Sequence, residues 1–209
     1  MPPILWSFRR CPYAIRARLA LAASEQQVEL REIVLRDKPT EFLAASPSAT
    51  VPCLVTPDSV IDESLDIMRW ALGRNDPQGW LDMPASGWDW IARNDGPFKH
   101  ALDRCKYASR YPQEDRATHL ATASVYLAEL DAQIDTWVFG CPTLADFALL
   151  PFVRQFAFID KPWFDAQPWP AVQGWLARFL TSLAFGAVMQ KYPAWTSGAD
   201  ICLFPPQLG

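Results

Sequence analysis

The chain has 209 residues, half of them hydrophobic and 20 % charged, an ordinary globular composition long enough for one large domain or two small ones. Its net charge of −4 gives no general attraction for phosphate backbones or anionic lipid, which excludes nucleic acid and membrane surfaces as expected partners. The opening residues lack a charged segment followed by a long apolar one, and the apolar stretch 179–190 is bracketed by Arg178 and Lys191. It is too short to span a bilayer, so neither secretion nor insertion is expected.

In chain order, the first third alternates short strand-like and helix-like runs: a strand over 4–8, a helix over 12–24, a strand over 28–35 and a helix over 40–46. Residues 53–56 and 59–61 then read as a hairpin around Pro57-Asp58, and 64–72 as a last helix, together an α/β unit. From Asn75 to Gly87 the chain is rich in Asn, Pro, Gly, Asp and Ser, the chemistry of a turn-containing linker. The expected division is a first domain over 1–76, a linker over 77–87 and a second domain over 88–209. That second domain reads as all helical, with helices over 88–111, 114–137, 143–159 and 171–189 separated by Pro- or Gly-bearing breaks.

The most informative residues lie at the first strand-to-helix junction, Arg9-Arg10-Cys11-Pro12-Tyr13-Ala14. Pro12 suits the first helical position, where a missing N–H is harmless, and this puts Cys11 at the N-cap. Unpaired amides and the helix dipole there favour a thiolate. Arg10 and Arg16 add positive charge, and cysteine pKa values at such sites fall from about 8.5 to roughly 3.5–7.5. Cys11 is therefore the candidate reactive atom; the competing reading is a small buried cysteine acting as a hydrophobe.

Further along, Thr143-Leu144-Ala145-Asp146 follows Gly140-Cys141-Pro142 and has the logic of a capping box, with Asp in place of the usual Glu. Its expected role is structural. Phe147, Leu149, Leu150 and Phe152 bury the helix, and Pro151 is expected to bend it. The cysteines at 11, 53, 105, 141 and 202 are odd in number and include no C-x-x-C pair, which suggests a reducing, cytoplasmic compartment rather than a disulfide framework. His100 and His119 do not pair at helical spacing or neighbour a carboxylate motif, so no metal site is expected. Cys53 reads as a buried strand residue.

Taken together and in order, these residues resemble the glutathione transferase superfamily, and within it the cysteine-type, glutaredoxin-like or omega-like members, over essentially the whole chain. Cys11-Pro12-Tyr13 resembles the glutaredoxin active-site turn, Val51-Pro52 the family's cis-proline loop, Glu63-Ser64 its γ-glutamyl clamp, and residues 143–146 the capping box of its helical domain. The fold this implies is a thioredoxin-like α/β N-terminal domain followed by an all-α C-terminal domain.

The resemblance also implies roles. Pro52 would be cis, and Val51 would present its backbone to the cysteinyl part of glutathione as a short antiparallel pairing; the alternative for this dipeptide is an ordinary strand entry. Glu63 would receive the ligand's α-amino group, while Ser64 and the helix it opens would bind the α-carboxylate, although Ser64 also reads as a plain N-cap. Lys38 would contact the glycyl carboxylate or serve only as a solvated surface charge. Tyr13, Trp88, Tyr107 and Tyr111 are candidates for an acceptor pocket, against the commoner core role of aromatics at helical spacing.

One departure matters: Ala14 stands where dithiol glutaredoxins have a second cysteine, so Cys11 has no neighbouring resolving thiol. The expected activity is a monothiol, glutathione-dependent thiol transferase or reductive lyase in which free glutathione resolves a Cys11 mixed disulfide. Conventional conjugation of glutathione to electrophiles is the second reading, and a non-catalytic binding module of the same fold is the third. The expected partners are glutathione as co-substrate and a small thiol, disulfide or electrophile. The resemblance further implies a homodimer.

Overall fold

A computed structural model describes residues 2–206. The chain forms two compact units, the first made of residues up to Gln78 together with those from Ser182 onward, the second running from Gly79 to Thr181.

The first unit is built on β1 (Ile4–Ser7), α1 (Pro12–Ala23), β2 (Val28–Glu32), α2 (Thr40–Ala45), β3 (Cys53–Val55), β4 (Val60–Ile61) and α3 (Ser64–Leu72). β1 lies mid-sheet and is buried along most of its length, with Leu5, Trp6 and Ser7 closed off from water. It pairs in parallel with β2, reached through the α1 crossover, and antiparallel with β3, which continues antiparallel into β4. α1 is buried on nearly every side, as expected for a helix whose apolar residues run all round it, and packs against α3.

The largest departure from the sequence reading is at the end of the chain. Residues 88–209 were expected to be wholly helical, yet from Ser182 the chain rejoins the first unit and adds α10 (Leu183–Val188) against α1. β5 (Leu203–Phe204) then pairs antiparallel with β2, completing the sheet order β4-β3-β1-β2-β5. Without it the outer edge of β2 would present unpaired amides and carbonyls, which folded sheets avoid exposing. Trp195 seals the same edge. Its N–H donates to the Glu32 carbonyl at 2.8 Å, its ring meets Trp6 at 5.0 Å, and the Arg31 guanidinium sits over both indoles at 4.6 and 4.9 Å.

The second unit contains α4 (Ser86–Arg93), α5 (Lys99–Lys106), α6 (Arg116–Gln133), α7 (Leu144–Ala157), α8 (Lys161–Asp165) and α9 (Pro170–Thr181). A single helix was expected over 88–111; instead Asn94–Phe98 form a π turn between α4 and α5. Pro97 explains it, because a proline removes one helical donor and forces the ladder to skip. Pro151, by contrast, sits buried within α7. The capping box forms as expected: the Thr143 N–H and hydroxyl both donate to Asp146 Oδ2, at 2.9 and 3.0 Å. Asp146 Oδ1 accepts from the Val138 N–H and the Trp175 indole, both at 3.0 Å, so one fully buried carboxylate ties α7, α9 and the loop before α7 together. Burial raises the Asp146 carboxyl above its usual range against the pull of those four donors. Among the described residues, no helix is long and apolar enough to cross a membrane.

Candidate active site

β1 ends at Ser7, and the chain turns tightly, with the Cys11 N–H donating to the Phe8 carbonyl at 3.0 Å. Cys11 is the extended N-cap of α1 and Pro12 its first residue, the arrangement read from the sequence. The half-buried Cys11 side chain packs on an apolar cluster of Trp6, Ile33, Phe42, Val51 and Cys53, and its Sγ lies 3.6 Å from the Val51 carbonyl oxygen. The Val51–Pro52 bond is cis. Beside it, Tyr13, Thr50, Val51, Pro52, Asp62, Glu63 and Ser64 line one pocket. Five residues singled out from the sequence therefore share a cavity, and the Cys11 sulfur touches its wall.

Ser64 is not the cap of α3. Glu63 takes that position, exposed and in extended conformation, while Ser64 is the first helical residue. Ser64 is only 2 % exposed, and its Oγ accepts from Arg16 Nε at 2.9 Å. Arg16 thus secures the serine from beneath. Arg10 is exposed, with its guanidinium 5.5 Å from the Phe8 ring.

Arg18 was missed. It is fully buried, its Nη2 donates to the Arg9 carbonyl at 2.7 Å, and it interacts electrostatically with Cys11. Its partner Glu32, at the end of β2, accepts the Arg9 N–H on Oε1 at 2.6 Å, while Arg18 Nη1 and Glu32 Oε2 stand 3.7 Å apart. That separation is an ion pair but too long for a hydrogen bond, and neither atom has another hydrogen-bond partner among the described residues. The Arg9 peptide is consequently clamped on both sides, two residues before the thiol. Burial pushes the Arg18 guanidinium down to about 10 against the attraction of Glu32, and burial raises the Glu32 carboxyl as well. Desolvation outweighs attraction for both partners, so this pair holds geometry more than it adds stability. The available signal was spacing: positions 11 and 18 are seven apart, two turns along one helical face.

Lys38 Nζ donates to the Ala49 carbonyl at 2.9 Å, on the loop leading into Val51. That loop is pinned by Asp62, which accepts from Ser46 Oγ at 2.9 Å and from the Ser48 N–H at 2.8 Å. Partial burial alone would raise the Asp62 carboxyl, but hydrogen bonds from Ser48, Ser46 and Cys53 outweigh it and hold it low. Cys53 is fully buried, and burial, aided by Asp62, pushes its thiol up to about 12, an inert structural cysteine as expected. Ser7 is fully buried. Trp88, Tyr107 and Tyr111 all belong to the second unit; Trp88 is 41 % exposed, and the Tyr107 and Tyr111 rings are faced by Arg110 and Arg104 at 4.5 and 4.2 Å. His100 and His119, which do not pair at helical spacing in the sequence, meet in space.

A mixed sheet with a cis-proline loop facing a cysteine at a helix start defines a thioredoxin-like domain, and the helices that follow make the C-terminal part all-α in class apart from its returning tail. Family models agree: the glutathione S-transferase N-terminal domain matches residues 5–79 and the glutathione S-transferase C-terminal domain residues 113–178. The chain belongs to the glutathione S-transferase superfamily. Among solved structures it is similar to glutathione transferase Omega 3C from Trametes versicolor, at 19 % identity and a TM-score of 0.76, covering 91 % of this chain and 84 % of that one. It is also similar to a glutathione S-transferase from Methylobacillus flagellatus with GSH bound, at 20 % identity, a TM-score of 0.77 and coverage of 89 % and 98 %. A third is a glutathione transferase from Pseudomonas putida with one glutathione disulfide bound per subunit, at 16 % identity, a TM-score of 0.77 and coverage of 90 % and 91 %. No protein of curated function matches the chain by sequence.

Proposed function

We propose that the protein is a glutathione-dependent thiol transferase in which Cys11 is the nucleophile. The observation that carries this reading is the Cys11 sulfur, at a helix N-terminus and 3.6 Å from the carbonyl of Val51, a residue that lines the same pocket as Glu63 and Ser64. The Cys11 thiolate attacks the glutathione sulfur of a mixed disulfide, the bond to the acceptor sulfur breaks, and the acceptor leaves as a thiolate. The enzyme is left as a Cys11–glutathione disulfide. A second glutathione thiolate then attacks that glutathione sulfur, releasing glutathione disulfide and restoring the Cys11 thiolate. No redox cofactor is needed, since both steps are thiol–disulfide exchanges and the one free glutathione consumed per turnover is oxidised as the acceptor sulfur is released as a thiolate.

Glutathione would lie with its cysteinyl backbone against Val51, its α-amino group on Glu63, and its α-carboxylate on Ser64 and the first turn of α3. Lys38 would reach the glycyl carboxylate by exchanging its bond to Ala49. Structural relatives with GSH or glutathione disulfide bound support this ligand class, and the Omega relative supports the cysteine-type reading. Tyr13 in the same pocket favours a second reading, conjugation of glutathione to electrophiles, in which a hydroxyl stabilises the glutathione thiolate.

The two readings predict opposite responses. In an exchange assay with a small glutathione mixed disulfide, Cys11→Ala should lose turnover while calorimetry still detects glutathione. Unchanged turnover rejects Cys11 as nucleophile. Cys11→Ser should retain or increase activity toward an aryl halide only if conjugation is the reaction.

A further inference from the structure

The second unit gathers both histidines of the chain at one point. His100 lies near the start of α5, His119 in the first turn of α6, and Glu114 in the segment just before α6. The His100 and His119 rings are 5.5 Å apart, His119 Nε2 is 2.7 Å from Glu114 Oε2, and one donor atom from each of the three residues lies within 4.8 Å of the others. Both imidazoles also line one surface cleft with Gly96, Pro97, Thr118 and Thr122. Hydrogen bonding within the protein accounts for only part of this. Glu114 is paired with Arg104 and His119, whereas His100 is exposed and its described partner is the His119 ring.

We propose that His100, Glu114 and His119 form a binding site for a divalent transition-metal cation, best matched by Zn²⁺. Two imidazoles and a carboxylate suit zinc and its neighbours in the transition series, and suit poorly the all-oxygen shells of calcium or magnesium. Metal-to-ligand distances of about 2.0–2.2 Å in tetrahedral geometry place ligand atoms about 3.3–3.6 Å apart. To reach that spacing from donor atoms within 4.8 Å of one another, the wider pairs close by no more than about 1.5 Å, and the His119–Glu114 contact, 2.7 Å apart, opens by less than about 1 Å. Arg104 would keep its place beside the carboxylate as an outer partner. The remaining coordination position would face the cleft and carry water. Bound metal would tie α5 to the start of α6 and stabilise the folded protein by mass action.

The test is zinc chloride titration of the tag-free protein with its thiols alkylated, read by calorimetry and by the proton spectrum of the two imidazoles. One equivalent should bind, with both imidazole signals shifting in step, and the thermal midpoint should rise. In the His100→Ala/His119→Ala double variant, zinc affinity should fall at least about 100-fold, because loss of a mere outer partner already lowers affinity roughly 10–100-fold. Its far-ultraviolet spectrum without metal should match the parent's, showing that it folds. Glu114→Gln should weaken binding by about tenfold or more. Zinc binding unchanged in the double variant, or a shift confined to one imidazole or absent from both, overturns the proposal. Failure here leaves the Cys11 reading untouched, since the two sites share no residue.

Discussion

Arg18 shows how one buried side chain can decide whether a reactive residue is held ready. It grips the Arg9 carbonyl while Glu32 grips the Arg9 N–H, and its charge lies within electrostatic reach of Cys11. Arg18→Met should destabilise the protein by about 3–5 kcal/mol in denaturant titrations, because Glu32 is left buried without its partner. The double variant Arg18→Met/Glu32→Gln should regain most of that stability, yet alkylate Cys11 more slowly than the native protein at neutral pH. Equal alkylation rates would show that Arg18 supports the fold alone. Asp62 gives a pH test at the same scale. Its folded pKa is depressed, so its stabilisation is fully present above the ordinary aspartate value and is lost as pH falls through the lower folded value. Asp62→Asn should therefore be less stable by about 1.5–3 kcal/mol at pH 7, and the gap should close in strong acid.

At the scale of elements, local chemistry made most of the first unit readable. Pro12 marked the start of α1, and α3 runs from Ser64 to Leu72 as its pattern indicated. Legibility failed where an element depends on a distant partner. The π turn was missed for a local reason, Pro97 lying within apolar spacing that continues across it, whereas the Arg18–Glu32 pair joins residues on different elements. The histidines escaped for the same reason: the spacing from 100 to 119 means nothing until α5 and α6 pack side by side. The capping box was legible as a cap, but not as the knot it is, because Val138 and Trp175 reach Asp146 from outside its helix. Asp146→Ala should lower stability by more than about 3 kcal/mol, since each buried donor left unpaired costs about 1–3 kcal/mol. Chemical denaturation of the variant measures this directly.

At the scale of the whole molecule, the first unit is discontinuous in sequence. Periodicity revealed where the α/β pattern gives way to helices, but a two-residue strand has no periodicity to read, so β5 remained hidden inside an expected helical region. Ending the chain after Thr181 should expose the β2 edge and the α1 face covered by α10, giving a protein that aggregates or unfolds without cooperativity. A truncated chain that stayed soluble and alkylated Cys11 at the native rate would show the tail to be dispensable.

The order of synthesis turns this threading into a constraint. The ribosome releases β5 and the sheet-edge Trp195 only after the whole helical unit has emerged. Folding of the nascent protein thus cannot proceed strictly from one end, and the helical unit is the first that can be completed. Until that tail emerges, the cysteine turn waits on an unfinished sheet.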